Sequence, residues 1–269
     1  MSFLDQILTA KRDEIAAARA ITPQADLERL AARRGDFRGF AESLACPGVR
    51  IIAEIKRASP SRGDIRPDLN PDDLAVAYQA GGAAALSVLT EPAYFKGSAA
   101  DLQRARDATD LPVLRKDFIL DPYQVFETAA MGADAMLLIV RILDDEQLSS
   151  LLALADGIGL ETLVEIHDET DAARLANLDA PIIGINNRDL AHFQTDVEHA
   201  ARLAARLPRG VTVVAASGIR DEVDIQQSLA AGIRHFLVGE TLVTHPDPTA
   251  LLKQWTAIKT LEVKDQESE

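Results

Sequence analysis

Arg50-Ile51-Ile52-Ala53-Glu54-Ile55-Lys56 is a short apolar run that ends in charge. Two later runs end in the same way: Lys116 follows Pro112-Val113-Leu114-Arg115, and Glu165 follows Thr162-Leu163-Val164. Buried strands of a parallel sheet are short, nearly continuous hydrophobic runs, and ligands bind beyond the carboxyl ends of those strands. The charges at these ends are therefore placed where a substrate can reach them.

Eight such runs predict eight β-strands. The stretches between them carry apolar residues at three- and four-residue spacing, as at Leu148, Leu151 and Leu152, which predicts helices. Strand and helix alternate over a length close to the ~250 residues usual for an eightfold barrel. We therefore predict an α/β fold, a (β/α)8 TIM barrel. The predicted strands are Arg50–Lys56, Ala84–Leu89, Pro112–Lys116, Asp134–Ile139, Thr162–Glu165, Ile182–Asn186, Thr212–Ala216 and His235–Val238.

An open doubly wound sheet would give a similar alternation of strands and helices. Such a sheet usually carries a glycine-rich dinucleotide turn after its first strand, and no GxGxxG follows any predicted strand here. Helix signals also fit the alternation: Asn70-Pro71 and Asp121-Pro122 are typical helix starts, and Gly132 and Gly232 are typical helix stops. The barrel is the favoured architecture.

The chain is predicted to form a single domain over residues 1–269. Helical periodicity in residues 1–45 predicts an N-terminal extension of two or three helices that packs on the barrel. The barrel itself is expected over residues 50–261, and the polar residues 262–269 are expected to fray.

Composition narrows the class of protein. With 269 residues and 47% apolar content, the chain can bury a full core, and the net charge of −14 argues against nucleic acid or an anionic membrane as partner. The absence of a long apolar segment predicts a cytoplasmic protein, expected to be a monomer or a weak homodimer. Cys46 is the only cysteine and is expected to pack as a small apolar group. The histidines lack metal-ligand spacing, so we predict no metal and no other cofactor.

Polar side chains at the strand ends should meet at one mouth of the barrel. Cations and carboxylates in one pocket indicate acid–base chemistry on an anionic substrate; the alternative is a set of ordinary salt bridges at the rim, and Asp117 could be an exposed partner of Lys116. A partly buried lysine is expected to have a lowered pKa, and a glutamate in an apolar setting a raised one. The converging residues are Glu54, Lys56, Lys116, Glu165, Asn186 and Arg188.

Glycine turns follow the last two predicted strands. Ala216-Ser217-Gly218-Ile219 comes after the seventh strand, and Val238-Gly239-Glu240-Thr241 comes after the eighth. Loops at these two places often bind phosphate in such barrels, through backbone N–H groups at a helix start. The turns therefore predict a phosphorylated small-molecule substrate.

Several segments together resemble one family. The residues that carry the likeness are Ile51-Ile52-Ala53-Glu54-Ile55-Lys56-Arg57-Ala58-Ser59-Pro60-Ser61, Leu114-Arg115-Lys116-Asp117-Phe118-Ile119, Leu163-Val164-Glu165-Ile166-His167, Ile183-Gly184-Ile185-Asn186-Asn187-Arg188-Asp189-Leu190 and Ala216-Ser217-Gly218-Ile219. They resemble the indole-3-glycerol-phosphate synthase family of tryptophan biosynthesis, and the likeness spans almost the whole chain.

The resemblance implies a carbon–carbon lyase of the carboxy-lyase type. Such an enzyme closes the indole ring of 1-(2-carboxyphenylamino)-1-deoxyribulose 5-phosphate and releases carbon dioxide and water. By resemblance, Lys116 is the general acid and Glu165 a base in the later dehydration, while Lys56 binds the substrate carboxylate and Glu54 orients Lys56.

The resemblance also implies binding roles for residues around this centre. Asn186 and Arg188 would position the substrate, with Ser217 beside them. The aromatic pocket would be lined by Phe95, Phe118 and Leu137, each of which is equally credible as a core residue. The phosphate site would be formed by Ser59, Gly218, Gly239 and Glu240.

One position departs from the family pattern. The family usually has glutamate where this chain has Ala216, so a carboxylate that helps to hold the substrate is missing. We expect slowed but measurable turnover. The alternative is a catalytically silent barrel that binds a phosphorylated ligand in a regulatory or assembly role, although a binder has no need of the acid and base at Lys116 and Glu165.

Overall fold

A computed structural model describes residues 3–176, 178–186, 197–208 and 210–259, except for the side chains of residues 197–199. Eight parallel strands close into a barrel in which each strand pairs with its neighbours in the chain, and the first pairs with the eighth. The predicted (β/α)8 fold is confirmed, and every predicted strand end lies within one residue of the observed end. The strands are β1 (Arg50–Ile55), β2 (Ala85–Leu89), β3 (Val113–Lys116), β4 (Ala135–Ile139), β5 (Glu161–Ile166), β6 (Ile182–Ile185), β7 (Thr212–Ala215) and β8 (His235–Val238).

Helices surround this barrel, and a small antiparallel hairpin of Ala58–Ser59 and Gly63–Asp64 follows β1. Asn70 and Asp121 cap helices as predicted, since each side-chain oxygen accepts a backbone N–H with proline at the first turn. The described α-helices are Phe3–Ile21, Gln24–Ala31, Phe40–Ala45, Pro71–Ala80, Ala99–Asp107, Pro122–Ala130, Asp145–Gly157, Glu169–Arg174, Val197–Ala204, Glu222–Ala230, Glu240–Thr244 and Pro248–Thr256, with a 3-10 turn at Val140–Ile142.

The helix Phe40–Ala45 closes the amino-terminal end of the barrel. Phe40 and Leu44 are fully buried and pack against side chains of the barrel interior, such as Leu114 and Leu163. His235, the first residue of β8, has one ring nitrogen 3.1 Å from the carbonyl oxygen of Leu44. With this end filled, the carboxyl end of the barrel is the end that remains for a ligand.

The first helix, Phe3–Ile21, is fixed by a buried charge. The Lys11 side chain is only 1% exposed, and its Nζ lies 2.8 Å from Oδ1 of Asp117 and 2.7 Å from Oε2 of Glu14. Asp117 also pairs with Arg115 at 3.0 Å and accepts a hydrogen bond from Thr90 Oγ1 at 2.6 Å. The N-terminal extension is therefore joined to the carboxyl end of β3.

One sequence expectation changes with the fold, and another concerns residues that the structure does not describe. Cys46 is exposed, so the prediction of apolar packing is wrong, because the chain turns at the surface between Ala45 and β1. The expected frayed tail, residues 262–269, lies outside the described residues. No helix in the described parts is both long and apolar enough to span a bilayer.

Candidate active site

The centre of the barrel mouth holds an ammonium group beside a carboxylate. Lys116 is the last residue of β3, Glu165 lies near the end of β5, and Lys116 Nζ is 3.3 Å from Glu165 Oε2. The Lys116 side chain is 16% exposed and the Glu165 side chain 5%. Two groups that are 49 residues apart in the chain thus form a nearly dry acid–base pair.

The Glu165 carboxylate is held from a second side by an amide group, which a hydroxyl group holds in turn. Asn186, directly after β6, donates from Nδ2 to Glu165 Oε1 at 3.0 Å. Ser217, two residues after the end of β7, donates from Oγ to Asn186 Oδ1 at 2.7 Å. Because Glu165 is paired with Gly184 of β6 in the sheet register, Asn186 begins at the right height to reach it. The row Ser217–Asn186–Glu165–Lys116 therefore crosses the mouth.

The pKa of Glu165 is lowered, which contradicts the expected rise. Desolvation by burial acts to raise this pKa, but the charges of Lys116 and His167 and the hydrogen bond from Asn186 lower it by more. The sequence prediction considered only the apolar strand. The carboxyl is therefore ionised near neutral pH and ready to accept a proton.

Asp117 is not the exposed partner of Lys116 that the alternative reading required. It is fully buried and is engaged by Lys11, Arg115 and Thr90 on the far side of β3. Neighbouring residues of a strand point to opposite faces, so Asp117 points away from the mouth while Lys116 points into it.

A second pair lies at the end of β1. Lys56 Nζ is 2.7 Å from Glu54 Oε1, and their side chains are 11% and 4% exposed. Gly239, after β8, gives this pair room: a Cβ at Gly239 would lie 2.1 Å from Glu54 Oε1 and 2.9 Å from Lys56 Nζ. Glu54 and Lys56 thus form one ion pair that packs on a glycine.

The mouth opens into a cavity of about 1210 Å³. Phe95 and Phe118 form one wall, with ring centroids 6.3 Å apart, and Leu137 is 2% exposed at the floor, where it also belongs to the barrel core. Such a cavity, apolar on one side and charged on the other, suits an aromatic anion. The predicted residues that line it are Glu54, Lys56, Ser59, Phe95, Lys116, Phe118, Leu137, Glu165, Asn186, Ala216, Ser217, Gly218, Gly239 and Glu240.

One side of the cavity is lined by the glycine turns after β7 and β8 and by the hairpin that follows β1. Gly218 has a φ of +91°, a conformation that favours glycine, and Glu240 begins the short helix Glu240–Thr244. Ser59 is buried beside them, and Arg62 from the hairpin pairs with Glu240 at 2.7 Å. The phosphate-binding roles of Ser59, Gly218, Gly239 and Glu240 stay a prediction.

Other residues of the site were not predicted from the sequence. His167 and Arg141 line the cavity, and so do Phe3, Leu4 and Ile7 from the first helix. The carboxylate of Glu91 accepts the backbone N–H groups of residues 93–95 and so fixes the turn that carries Phe95. For His167 a signal was present, since it follows Glu165 at strand parity; the helical wall depends on tertiary packing alone.

One predicted site residue, Arg188, is not among the residues that the structure describes. Arg188 falls within residues 187–196, outside the described residues, so its predicted substrate role stays a prediction. Ala216 lies on the cavity wall and is 6% exposed, so a longer side chain at this position would enter the cavity. In the described parts of the chain, no cluster of three or more His, Cys, Asp or Glu residues could hold a metal ion.

Comparison with known proteins shows the family of this chain. Residues 4–255 match the profile of the family described as Indole-3-glycerol phosphate synthase. The chain belongs to that family. A protein of that name from Desulfosudis oleivorans is 54% identical over 93% of this chain and 97% of its own length. Another of that name, from Rhodopirellula baltica, is 45% identical over 94% of this chain and 98% of its own.

Solved structures outside the indole-3-glycerol phosphate synthase family share the fold. Thiamine phosphate pyrophosphorylase from Pyrococcus furiosus superposes with a TM-score of 0.57 at 14% identity, over 77% of this chain and 93% of its own. Orotidine 5'-phosphate decarboxylase from Pyrococcus horikoshii gives the same TM-score at 11% identity, over 77% of this chain and 97% of its own. At such identities the likeness supports the barrel alone.

Proposed function

We propose that this protein is a carboxy-lyase that converts 1-(2-carboxyphenylamino)-1-deoxyribulose 5-phosphate to indole-3-glycerol phosphate, carbon dioxide and water. The observation that carries the proposal is the Lys116–Glu165 pair, 3.3 Å apart in a nearly dry mouth. A donor and an acceptor of protons at one place suit a reaction that protonates a carbonyl oxygen and later removes a proton. Family membership supports the same reaction.

Different residues of the cavity carry out different steps of the proposed reaction. Lys116 protonates the ribulose carbonyl oxygen as the ring carbon attacks that carbonyl, and the carboxyl group leaves as carbon dioxide. Glu165, ionised and held by Asn186, takes the proton that is lost with water in the dehydration. Lys56, oriented by Glu54, binds the substrate carboxylate until it leaves.

The rest of the substrate would lie along the cavity walls. Phe95, Phe118 and Leu137 hold the anthranilate ring. Arg188 and Ser217 position the substrate beside the catalytic pair. The phosphate binds at the turns after β7 and β8, where it is contacted by Ser59, Gly218, Gly239 and Glu240. The protein would act in the cytoplasm as a monomer or weak homodimer in tryptophan biosynthesis.

Ala216 slows this reaction without abolishing it. Each lysine of the mouth already has a carboxylate beside it, Glu54 for Lys56 and Glu165 for Lys116, so neither depends on residue 216 for charge balance. A further carboxylate would tighten the orientation of substrate by an amount on the order of 1 to 3 kcal/mol. Ala216→Glu should therefore raise kcat/KM; an unchanged or lower value would show that the site is balanced in another way.

The test of the proposal is the fluorescence of the indole product when purified protein is mixed with the carboxyphenylamino-ribulose phosphate. We expect steady formation of product, which Glu165→Gln reduces about 100-fold or more. Binding of the substrate without any product would instead support the silent barrel. Wild-type turnover in Glu165→Gln would remove the proposed base.

A further inference from the structure

We propose that His167 is a positioning residue for Glu165, the middle member of a buried row that runs from Asp171 through His167 and Glu165 to Lys116. The proposal rests on the proposed role of Glu165 as the base. It adds a residue whose part in the reaction is to hold the carboxylate that accepts the proton.

The geometry places the imidazole between two carboxylates. His167 Nε2 lies 3.5 Å from Glu165 Oε1, and Nδ1 lies 3.7 Å from Asp171 Oδ2. The side chains of His167 and Glu165 are each 5% exposed, and that of Asp171 is 7% exposed. Each ring nitrogen thus faces a carboxylate oxygen at ion-pair distance, and little water can screen these contacts.

The strand fixes the inner end of this row. Glu165 and His167 are two residues apart at the end of β5, so their side chains leave the backbone on the same side. Asn186 Nδ2 and Lys116 Nζ contact the remaining faces of the same carboxylate. His167 therefore completes a set of donors around Glu165 that comes from β3, β5 and β6.

The outer end of the row is also held. Asp171, in the helix Glu169–Arg174, accepts the backbone N–H of His167 at 2.9 Å. Arg141 from the 3-10 turn reaches Asp171 at 3.5 Å and Asp168 at 3.1 Å. The pKa of Asp171 is lowered: burial acts to raise it, but the nearby His167 side chain, the His167 backbone N–H and the charge of Arg141 outweigh burial. An ionised Asp171 thus faces the ring from the side away from substrate.

The course of the reaction explains why Glu165 needs a second group beside it. Once Lys116 has passed its proton to the carbonyl oxygen, the lysine is neutral and Glu165 loses its nearest positive charge. A carboxylate in a dry site would then turn toward its protonated form before the dehydration. The imidazole, together with Asn186, keeps Glu165 ionised and aimed at the substrate, and it exchanges no proton with the substrate itself.

Two amide variants of His167 test the contributions of its two ring nitrogens separately. Glutamine at 167 can place a donor near Glu165, as Nε2 does, whereas asparagine is shorter and reaches only toward Asp171. His167→Asn should lower kcat about tenfold with KM changed less than about twofold, because the ring nitrogen that lies 3.5 Å from Glu165 Oε1 is lost. His167→Gln should keep kcat within about threefold of wild type.

The pH dependence of kcat distinguishes this positioning role from a structural one, because a structural role alone would leave the pH profile unchanged. Both variants remove the imidazole, which is one of the groups that lower the pKa of Glu165. The acid limb of the profile should therefore move to higher pH. His235, a buried histidine that contacts the carbonyl oxygens of Val213 and Leu44 at the closed end of the barrel, is the matched control. His235→Asn should leave the position of the acid limb unchanged.

Three outcomes would overturn the inference: an acid limb that stays in place in both variants, equal kcat values for the glutamine and asparagine variants, or an acid limb that moves equally in His235→Asn. If His167→Asn fails to fold, as judged by circular dichroism, the profile of His167→Gln decides. Glu165→Gln in the same assay keeps the questions apart, because wild-type turnover there would contradict the proposed function and not the position of His167.

Discussion

At the scale of single residues, a missing side chain shapes the mouth of this barrel. Gly239 lies against the Glu54–Lys56 pair so closely that a Cβ would overlap Glu54 Oε1 at 2.1 Å. The overlapping atoms are the ends of flexible side chains, which can move without disturbing the strands. The glycine therefore matters for the position of two charges and hardly for the stability of the fold.

Gly239→Ala should lower kcat/KM by about 10- to 100-fold, because displacement of Lys56 by about 1 Å moves it from the substrate carboxylate. The free energy of unfolding, measured in urea, should change by less than about 1 kcal/mol. Gly232→Ala is a useful contrast: Gly232 has a φ of +82° and open space around it, so alanine there strains the backbone and leaves the site alone. Equal kinetics for the two variants would contradict this account of Gly239.

The charge state of Glu165 determines how kcat should depend on pH. Lys116, His167 and Asn186 lower the pKa of this carboxyl below its ordinary value of 4.5, in spite of the burial that acts to raise it. The carboxylate form is then lost only in more acid solution. In wild-type protein, kcat should stay flat from about pH 7 to about pH 5, provided that the protein stays folded. An acid limb centred near pH 6 would show that burial dominates.

At the scale of structural elements, the first helix is part of the site as well as part of the scaffold. Phe3, Leu4 and Ile7 line the cavity, and Lys11 joins the same helix to Asp117, the residue next to Lys116. The helix is thereby tied to the strand end that carries the proposed acid. Loss of the tie should affect both the stability of the protein and the shape of the cavity.

Lys11→Met should cost about 3 to 5 kcal/mol in the free energy of unfolding, because it leaves the buried carboxylate of Asp117 with one cation fewer. Arg12→Met, an exposed position on the same helix, should change it by less than about 0.5 kcal/mol. Urea titrations of the two variants make the comparison. A cost below about 1 kcal/mol for Lys11→Met would show that Arg115 alone can satisfy Asp117.

At the scale of the whole molecule, the barrel could be predicted because its strands are buried on both faces. Continuous runs such as Arg50–Ile55 and His235–Val238 signal such strands directly, and the caps at Asn70 and Asp121 mark the helices between them. Closure then places the strand ends together without further information from the sequence.

The missed features depend on distances between side chains that are remote in the chain. The sign of the Glu165 pKa shift depends on Lys116, His167 and Asn186, and no strand pattern shows how close they come. The same holds for the first helix, whose amphipathic pattern indicates packing but does not indicate which end of the barrel it covers. The exposure of Cys46 is likewise a matter of where the chain turns.

The central claim for the molecule is that an acid from β3 and a base from β5 work as one unit across the cavity. The direct measurement is a double-mutant cycle on kcat for indole formation, with Lys116→Met, Glu165→Gln and the combined variant. We expect each single change to lower kcat by about 10²- to 10⁴-fold. The kcat of the combined variant should be only slightly below that of the less active single variant. Losses that multiply in the combined variant, or single variants that turn over like wild type, would contradict the claim.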